Sequence, residues 1–181
     1  MLEMDLFASS LFEEAKCFLE KAKHETDEKG KMAYLHAALL IGFSSLEAHI
    51  NAIAEEKITV HEELSVLEES ILLEKEFYLK NGSFTLTDTL KMYRLTERIE
   101  FLYSKFSKIP LDKSKSFWEQ IKVGLRIRND LVHPKEQFIL SERSIETALE
   151  GILSLLDDLY IALYKQHYPA LGRRLDSNMD F

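Results

Sequence analysis

The residues best suited to chemistry in this chain are an arginine and a histidine five positions apart. Arg128 and His133 stand at the end of an amphipathic segment, directly before Pro134. A guanidinium stays charged at any physiological pH and binds phosphate, and histidine moves protons near neutrality. The pair points to chemistry on a phosphodiester, although roughly a tenth of random chains of this length and composition would contain the spacing.

Arg128 falls on the apolar stripe of the helix that is predicted to carry it. Its neighbours at intervals of three and four residues are Trp118, Ile121, Leu125 and Val132. A guanidinium rarely lies on such a face unless it is paired or lines a cleft. Two interpretations stay open: an ion pair with Glu47 or Asp130, or a groove in which a phosphate oxygen completes the bonding of Arg128.

The helix geometry separates the two groups. Five residues correspond to about 500° of rotation and roughly 7.5 Å of rise, so Arg128 and His133 point about 140° apart. Because a residue before proline avoids helical geometry, we expect His133 in the last turn or at the cap. The helix could unwind before Pro134 and redirect His133, or two copies of the chain could pool their side chains across a symmetry axis.

Composition favours one all-helical domain. The chain has 181 residues, of which 46% are hydrophobic and 30% charged, which suits a soluble domain with its own core. Only 6 glycines and 3 prolines leave few turns, whereas sheets need frequent turn residues. We predict a single domain over residues 1–171 and a flexible tail over 172–181.

Three features predict a cytoplasmic protein without membrane contact. Cys17 is the only cysteine, so the reducing cytosol is the simplest location. The N-terminal residues lack the basic segment of a secretion signal. The most apolar stretch, residues 32–54, contains His36, Glu47, His49 and Asn51. We therefore interpret this stretch as a buried helix and not a membrane span.

The formal net charge of -8 is unevenly distributed. Residues 1–30 hold 4 basic and 8 acidic groups, and residues 55–80 hold 3 and 8. Residues 91–143 hold 12 basic and 7 acidic groups, a net charge of +5. This asymmetry fits an anionic partner near the basic half, or equally a basic part that complements the acidic helices.

Apolar spacing at three and four residues predicts six helices. Their approximate spans are 4–24, 31–56, 59–81, 88–106, 112–133 and from 142 onward. Thr59 with Glu62, and Ser116 with Glu119, have the spacing of capping boxes. The pair Asn81-Gly82 is predicted to end the third helix in a left-handed conformation, with residues 83–88 as a loop. The sixth helix has a heptad-like seam that can hold the bundle or pair two subunits.

Other polar residues were weighed as site candidates. Glu47, His49 and Asn51 can line the cleft of Arg128, although hydrogen bonds between helices are the favoured role. No paired-cysteine or His-x-x-x-His pattern occurs, so no metal site is predicted. The glycines form no phosphate-binding loop, and we predict no cofactor.

The run Arg128-Asn129-Asp130-Leu131-Val132-His133, on the penultimate predicted helix, resembles the Arg-x(4–6)-His motif of HEPN domains. In that motif a polar residue, often asparagine, commonly follows the arginine. The flanking residues 113–122 and 134–135 are also similar to this group, as are residues 43–51. The resemblance covers about residues 5–165, and only the motif is specific.

The resemblance implies an antiparallel up-and-down bundle of about five to six helices and a homodimer. In many members it implies metal-independent RNA cleavage, often in toxin–antitoxin systems or phage defence, with a cognate antitoxin or nucleotidyltransferase as a further partner. Other members have lost catalysis and only bind. Both ends of the motif are present here, which favours catalysis by Arg128 and His133.

The residue types give a mechanism in which the 2′-hydroxyl of RNA is the nucleophile. His133 would take its proton or give one to the leaving 5′-oxygen, and Arg128 would neutralise charge on the phosphate. We expect supporting roles for Asn129, Asp130 and Glu47, and substrate contacts from Lys122, Arg126 and Lys135. For Arg126, exposure to solvent is slightly favoured over a contact with the RNA backbone. The alternative is a non-catalytic helical module that binds RNA, a nucleotide or a protein.

Overall fold

The computed structural model describes residues 3–60, 64–135 and 140–181 and shows a largely helical protein, with 69% helix. Six α-helices and one two-stranded sheet occur in these ranges. In chain order they are α1 (Glu3–His24), α2 (Glu28–Val60), α3 (Val66–Leu73), β1 (Lys75–Lys80), β2 (Ser83–Leu90), α4 (Leu95–Ser107), α5 (Ser116–Val132) and α6 (Glu142–Tyr164). A short 3-10 helix, Leu171–Arg173, follows α6.

Helix α2 forms the centre of the molecule and contacts each of the other five helices. Its length and composition would allow it to cross a membrane, but 67% of its most apolar window is buried against the rest of the chain. That burial is typical of the core helix of a globular protein. The interpretation of residues 32–54 as a buried helix agrees with this packing.

Small residues let α5 approach the core closely. A Cβ atom placed on Gly124 would lie 2.8 Å from the ring of Phe43 on α2 and 2.9 Å from Cβ of Ala148 on α6. Glycine at this position therefore sets the distance between the three helices. One turn further along, Glu47 follows Phe43 and Arg128 follows Gly124, so the same contact brings these two side chains together.

The third predicted helix is wrong over most of its length. Helix α3 ends at Leu73, and Asn81-Gly82 is the turn of an antiparallel hairpin between β1 and β2. Both turn residues have positive φ, 51° and 84°, as a two-residue hairpin turn requires. The predicted loop at residues 83–88 belongs to β2, because its apolar residues alternate with β-branched threonines and pair with β1.

The predicted capping boxes are also corrected. Helix α2 continues to Val60, so Thr59 lies inside it and donates a hydrogen bond to the carbonyl of Glu55; Glu62 lies outside the described residues. The capping box that opens α3 is Ser65 with Glu68. Lys115 caps α5 without a side-chain hydrogen bond, so no capping box forms between Ser116 and Glu119.

The remaining boundaries follow from these elements. Helix α4 begins at Leu95 and not near Asp88, because β2 extends to Leu90. Helix α6 begins after Ser141, as predicted, and the Ser141 hydroxyl accepts a hydrogen bond from the Ser144 N–H.

The segment predicted as a flexible tail contacts α1. The backbone N–H groups of Ser177 and Asn178 donate to the carboxylates of Glu20 and Glu13 at 2.8 and 2.9 Å. These contacts join the C-terminal residues to α1, and the flexibility of this segment stays a prediction.

Candidate functional site

Arg128 lies in the third quarter of α5 and faces α2. Its Nη2 donates a hydrogen bond to Oε1 of Glu47 at 2.8 Å, and its Nη1 donates to the side-chain oxygen of Asn129 at 3.2 Å. The Arg128 side chain keeps 29% of its surface exposed and that of Glu47 keeps 40%. The acidic partner is therefore Glu47 and not Asp130, and the pair is reached by solvent.

A cavity of about 450 Å³ opens beside this ion pair. Its polar walls come from α2, α4, α5 and the segments that flank the hairpin, and they comprise Glu47, Asn51, Glu74, Tyr93, Arg94, Thr96, Arg98, Arg128 and Asn129. Three arginines and two glutamates leave one positive charge in excess. Arg128 is thus paired with Glu47 and also lines a cleft, while the phosphate that would complete its bonding stays a prediction.

Arg98 also lines the cavity and is only 4% exposed. Its guanidinium donates to Glu74 and Asn51 at 2.8 Å each, and to the carbonyls of Ile71 at 3.3 Å and Leu72 at 2.8 Å. Burial lowers the pKa of Arg98, while the charges of Glu74 and Glu47 act in the opposite direction. With four of its hydrogen-bonding directions used inside the protein, Arg98 holds α2, α3 and α4 together.

His133 is the C-terminal cap of α5, as the proline after it predicts. Its backbone leaves the helix at φ -127° and ψ 62°, and its N–H donates to the carbonyl of Asn129 at 2.9 Å. The side chain is exposed, and His133 is not among the described residues that line the cavity. Within one chain, the turn before Pro134 therefore leaves His133 outside the described lining of the cavity that contains Arg128.

Of the other predicted site residues, some line the cavity and others do not. Asn129 and Glu47 join Arg128 at the cavity. The remaining four, which are exposed and outside the described cavity lining, are Lys122, Arg126, Asp130 and Lys135. Lys122 is paired with Glu119 at 2.6 Å, one turn earlier on α5. They lie on the solvent side of α5 or beyond its end.

The polar residues Glu47, His49 and Asn51 of α2 have two different roles. His49 is fully buried, and its ring nitrogens contact the carbonyl of Ser45 at 2.9 Å and the hydroxyl of Tyr168 at 3.1 Å. Asn51 accepts a hydrogen bond from Arg98. Internal hydrogen bonds between elements, the favoured prediction, thus account for His49 and Asn51, whereas Glu47 faces the cavity.

Arg98 lines the cavity but was not predicted from the sequence. It follows Leu95 by three positions and precedes Leu102 by four, so it lies on the apolar stripe of α4. Like Arg128, it is a guanidinium on an apolar stripe, and this pattern is visible in the sequence. Glu74 could not be predicted in this way. It lies between α3 and β1, and the sequence pattern predicts one continuous helix there.

Within the described ranges, no group of three or more His, Cys, Asp or Glu side chains is placed to hold a metal ion. Comparisons of the chain with protein-family models, curated proteins and solved structures find no match in any of the three. The fold and the cavity define a largely helical protein with an arginine-lined cleft. Its function is inferred from these residues alone.

Proposed function

We propose that the protein is a dimeric, metal-independent endoribonuclease of the HEPN type, in which Arg128 binds the scissile phosphate and His133 transfers protons. The motif Arg128–His133 at the end of the penultimate helix supports this assignment, as does the largely helical fold. The finer architecture, an antiparallel HEPN-like bundle with the hairpin inserted between α3 and α4, belongs to the same proposal.

The observation that carries the proposal is that the ion pair of Arg128 with Glu47 is partly exposed at the cavity. An ion pair this exposed contributes only about 0.2–1 kcal/mol, because water competes for both partners. A phosphate can therefore take up the N–H groups of Arg128 that point to the cavity without a large loss elsewhere. Arg98, in contrast, is fully engaged by the protein and does not suit substrate binding.

His133 must reach the phosphate from a second subunit. The imidazole is exposed at the end of α5, next to Val132, an apolar side chain that is 47% exposed. Both side chains are accessible to a second copy of the chain. Two copies that meet near these ends would place the His133 of one beside the Arg128 of the other.

The reaction then follows from the residue types. One imidazole removes the proton of the ribose 2′-hydroxyl, whose oxygen attacks the adjacent phosphorus. Arg128 offsets the charge that develops on the phosphate oxygens. The 5′-oxygen leaves with the proton that the same imidazolium gives back, and the products carry a 2′,3′-cyclic phosphate and a 5′-hydroxyl. Asn129, bonded to Arg128, orients the guanidinium.

The test compares a single-stranded RNA with DNA of the same sequence, in EDTA. We expect the parent protein to cleave only the RNA, and the His133→Ala variant to lose activity by roughly a hundredfold or more. His24→Ala is the matched control, since His24 is also exposed at a helix end and far along the chain from the motif. Cleavage of the DNA, or equal cleavage by the His133→Ala variant, would contradict the proposal.

The second candidate is a non-catalytic module that binds RNA, a nucleotide or a protein. The observation that favours it is that Arg128 is already paired with Glu47 while His133 lies outside the described cavity lining of the same chain. A folded dimer that binds RNA without cleaving it would support this candidate. In either case we propose a cytoplasmic protein, with an antitoxin or nucleotidyltransferase as a further partner.

A further inference from the structure

One face of the hairpin of β1 and β2 is apolar; its side chains near the turn are exposed, and those further from the turn are half-buried. Phe77 pairs directly with Leu86, and Leu79 with Phe84, so all four side chains share a face. Leu79 is 65% exposed and Phe84 60% exposed. A lone two-stranded hairpin is marginally stable in water, and an exposed apolar face of this kind marks an interaction surface.

The outer edge of β1 also has open backbone groups. The turn makes Lys80 and Ser83 the closing hydrogen-bonded pair of the hairpin. Because hydrogen-bonding direction alternates along a strand, Tyr78 also bonds toward β2, while Phe77 and Leu79 direct their N–H and C=O groups outward. Among the described residues, no backbone hydrogen bond from another element reaches these two.

We propose that a second copy of the chain pairs its β1 with this β1 in antiparallel orientation, with the two-fold axis at Tyr78. The result is a four-stranded sheet in the order β2, β1, partner β1, partner β2. This inference rests on the proposed function only for the expectation that two copies associate. It adds the edge of β1 to the α5 ends as a surface on which they meet, and Glu74 and Tyr93, which flank the hairpin, line the same cavity as Arg128.

The charges on β1 favour a second copy of the chain as the partner, and they favour this register of the two β1 strands. With Tyr78 on the axis, Glu76 lies opposite Lys80 of the partner subunit, and the symmetry repeats this opposite-charge pair. Phe77 lies opposite Leu79 of the partner subunit, with the backbone groups of both directed at each other. The result is one continuous apolar face across the two hairpins.

Neighbouring arrangements lack these features. A slip of one residue places Lys75 opposite Lys80 of the partner subunit, where like charges repel, and it moves the outward N–H groups out of register. Pairing through β2 with the axis at Thr85 places Ser83 opposite Thr87 and forms no ion pair. The edge of β1 is thus the self-complementary one.

A charge swap tests the interface by sedimentation of the full chain. We expect a dimer for the parent protein, and a dimer weakened roughly tenfold to a hundredfold by Glu76→Lys or Lys80→Glu, since each change creates two like-charge pairs. The double variant Glu76→Lys/Lys80→Glu restores the opposite pairs and should regain the parent affinity within a few-fold. A monomeric parent at about 50 μM, or single variants as tight as the parent, would overturn the inference.

Disulfide formation gives a second measurement that does not depend on affinity. Opposed residues at a non-hydrogen-bonded site lie close enough for a disulfide, so Tyr78→Cys should form a covalent dimer under mild oxidation. Cys17 is 2% exposed and does not compete. The control is Thr85→Cys, one strand further from the axis, which should stay uncrosslinked. Equal crosslinking of both variants, or of neither, would overturn the inference.

The interface and the nuclease proposal fail separately. A charge-sensitive dimer that leaves RNA intact would contradict the nuclease while it supports the hairpin interface. RNA cleavage that depends on His133, by a dimer that is insensitive to the charge swap, would overturn the hairpin interface and leave the nuclease in place.

Discussion

Two arginines on one cavity show how burial and bonding separate a structural residue from a candidate functional one. Arg98 is buried and donates to two side chains and two carbonyls, so its removal would take from Glu74 its ion-pair partner and from Asn51 the donor to its side-chain oxygen. Arg128 is partly exposed and contacts only Glu47 and Asn129 in the described hydrogen bonds. The difference explains why we assign phosphate binding to Arg128.

Arg128→Lys tests that assignment. Lysine keeps the positive charge but loses the planar fork that binds two phosphate oxygens together. We expect RNA cleavage to fall by roughly tenfold to a hundredfold, with a small change in melting temperature, because the exposed pair with Glu47 contributes little to stability. The measurement is the cleavage rate of one RNA at saturating protein concentration.

The control for this change is Arg143→Lys, an exposed arginine on α6 that does not line the cavity. A similar loss in both variants would show a general effect of surface charge. An Arg128→Lys variant with the parent rate would remove Arg128 from phosphate recognition.

At the residue scale, apolar periodicity was informative, because a charged residue rarely lies on a buried stripe unless it is paired or lines a cleft. It identified Arg128 and left Glu47 and Asp130 as candidate partners, of which the structure shows Glu47. The position of the His133 backbone at the cap was also predictable from Pro134. The direction of the imidazole was not, because it depends on how the chain continues after the helix and on what it meets there.

At the scale of elements, the contact between α5 and α2 positions the site. The absence of a side chain at Gly124 lets the ring of Phe43 lie against α5, and the ion pair of Arg128 with Glu47 forms one turn away. Glycine within a helix costs about 1 kcal/mol relative to alanine. Its presence here therefore indicates that close packing outweighs helix propensity.

Gly124→Ala should consequently destabilise the protein despite the gain in helix propensity. The new methyl group would meet an aromatic ring and the Cβ of Ala148, neither of which can move freely, and overpacking of this kind costs about 1–3 kcal/mol. Urea unfolding measures the change in the free energy of unfolding. Gly172→Ala is the control, since a Cβ atom there meets nothing within 4 Å. A more stable Gly124→Ala variant would contradict the packing argument.

The start of α3 gives a stability that depends on pH. A hydrogen bond from Lys105, followed by one from the N–H of Ser65, holds the pKa of Glu68 at about 2, below its ordinary 4.5. A carboxylate with a depressed pKa stabilises the fold fully above pH 4.5 and loses that effect as the pH falls toward 2.

Glu68→Gln should therefore lower stability by about 1 kcal/mol at pH 7, the typical effect of a helix cap. The difference from the parent should shrink between pH 4.5 and about 2, where the parent carboxylate takes up its proton. Thermal unfolding of both proteins across this range measures it. Glu69→Gln is the control, and a difference that stays constant with pH would contradict the assignment.

The hairpin shows the limit of periodicity at this scale. Leu67, Ile71 and the following residues fit a helical repeat, but the alternation of Phe77 and Leu79 with polar residues is only four positions long. Asn81-Gly82 serves equally as a helix stop or a hairpin turn. The pairing of β1 with β2, a contact between two segments, decides between them, and it is not visible in either segment alone.

At the scale of the whole molecule, the helical class, the central role of α2 and the position of α5 were predictable from the sequence. These features follow from composition and from long apolar stripes. The cavity was not predictable as a whole, because it joins residues of α2, α4 and α5 that are more than 80 positions apart, such as Glu47 and Arg128. The C-terminal residues likewise owe their place to carboxylates of α1.

The central claim is that one phosphate is held by Arg128 of one subunit and attacked with the help of His133 from its partner. Co-expression of Arg128→Ala chains with His133→Ala chains tests this directly. Each variant alone should be inactive. Half of the mixed dimers are heterodimers in which one of two composite sites is intact, so the mixture should recover roughly a quarter of the parent RNA cleavage rate. A mixture as inactive as the separate variants, beside an active parent, would show that both groups act within one chain and would contradict the claim.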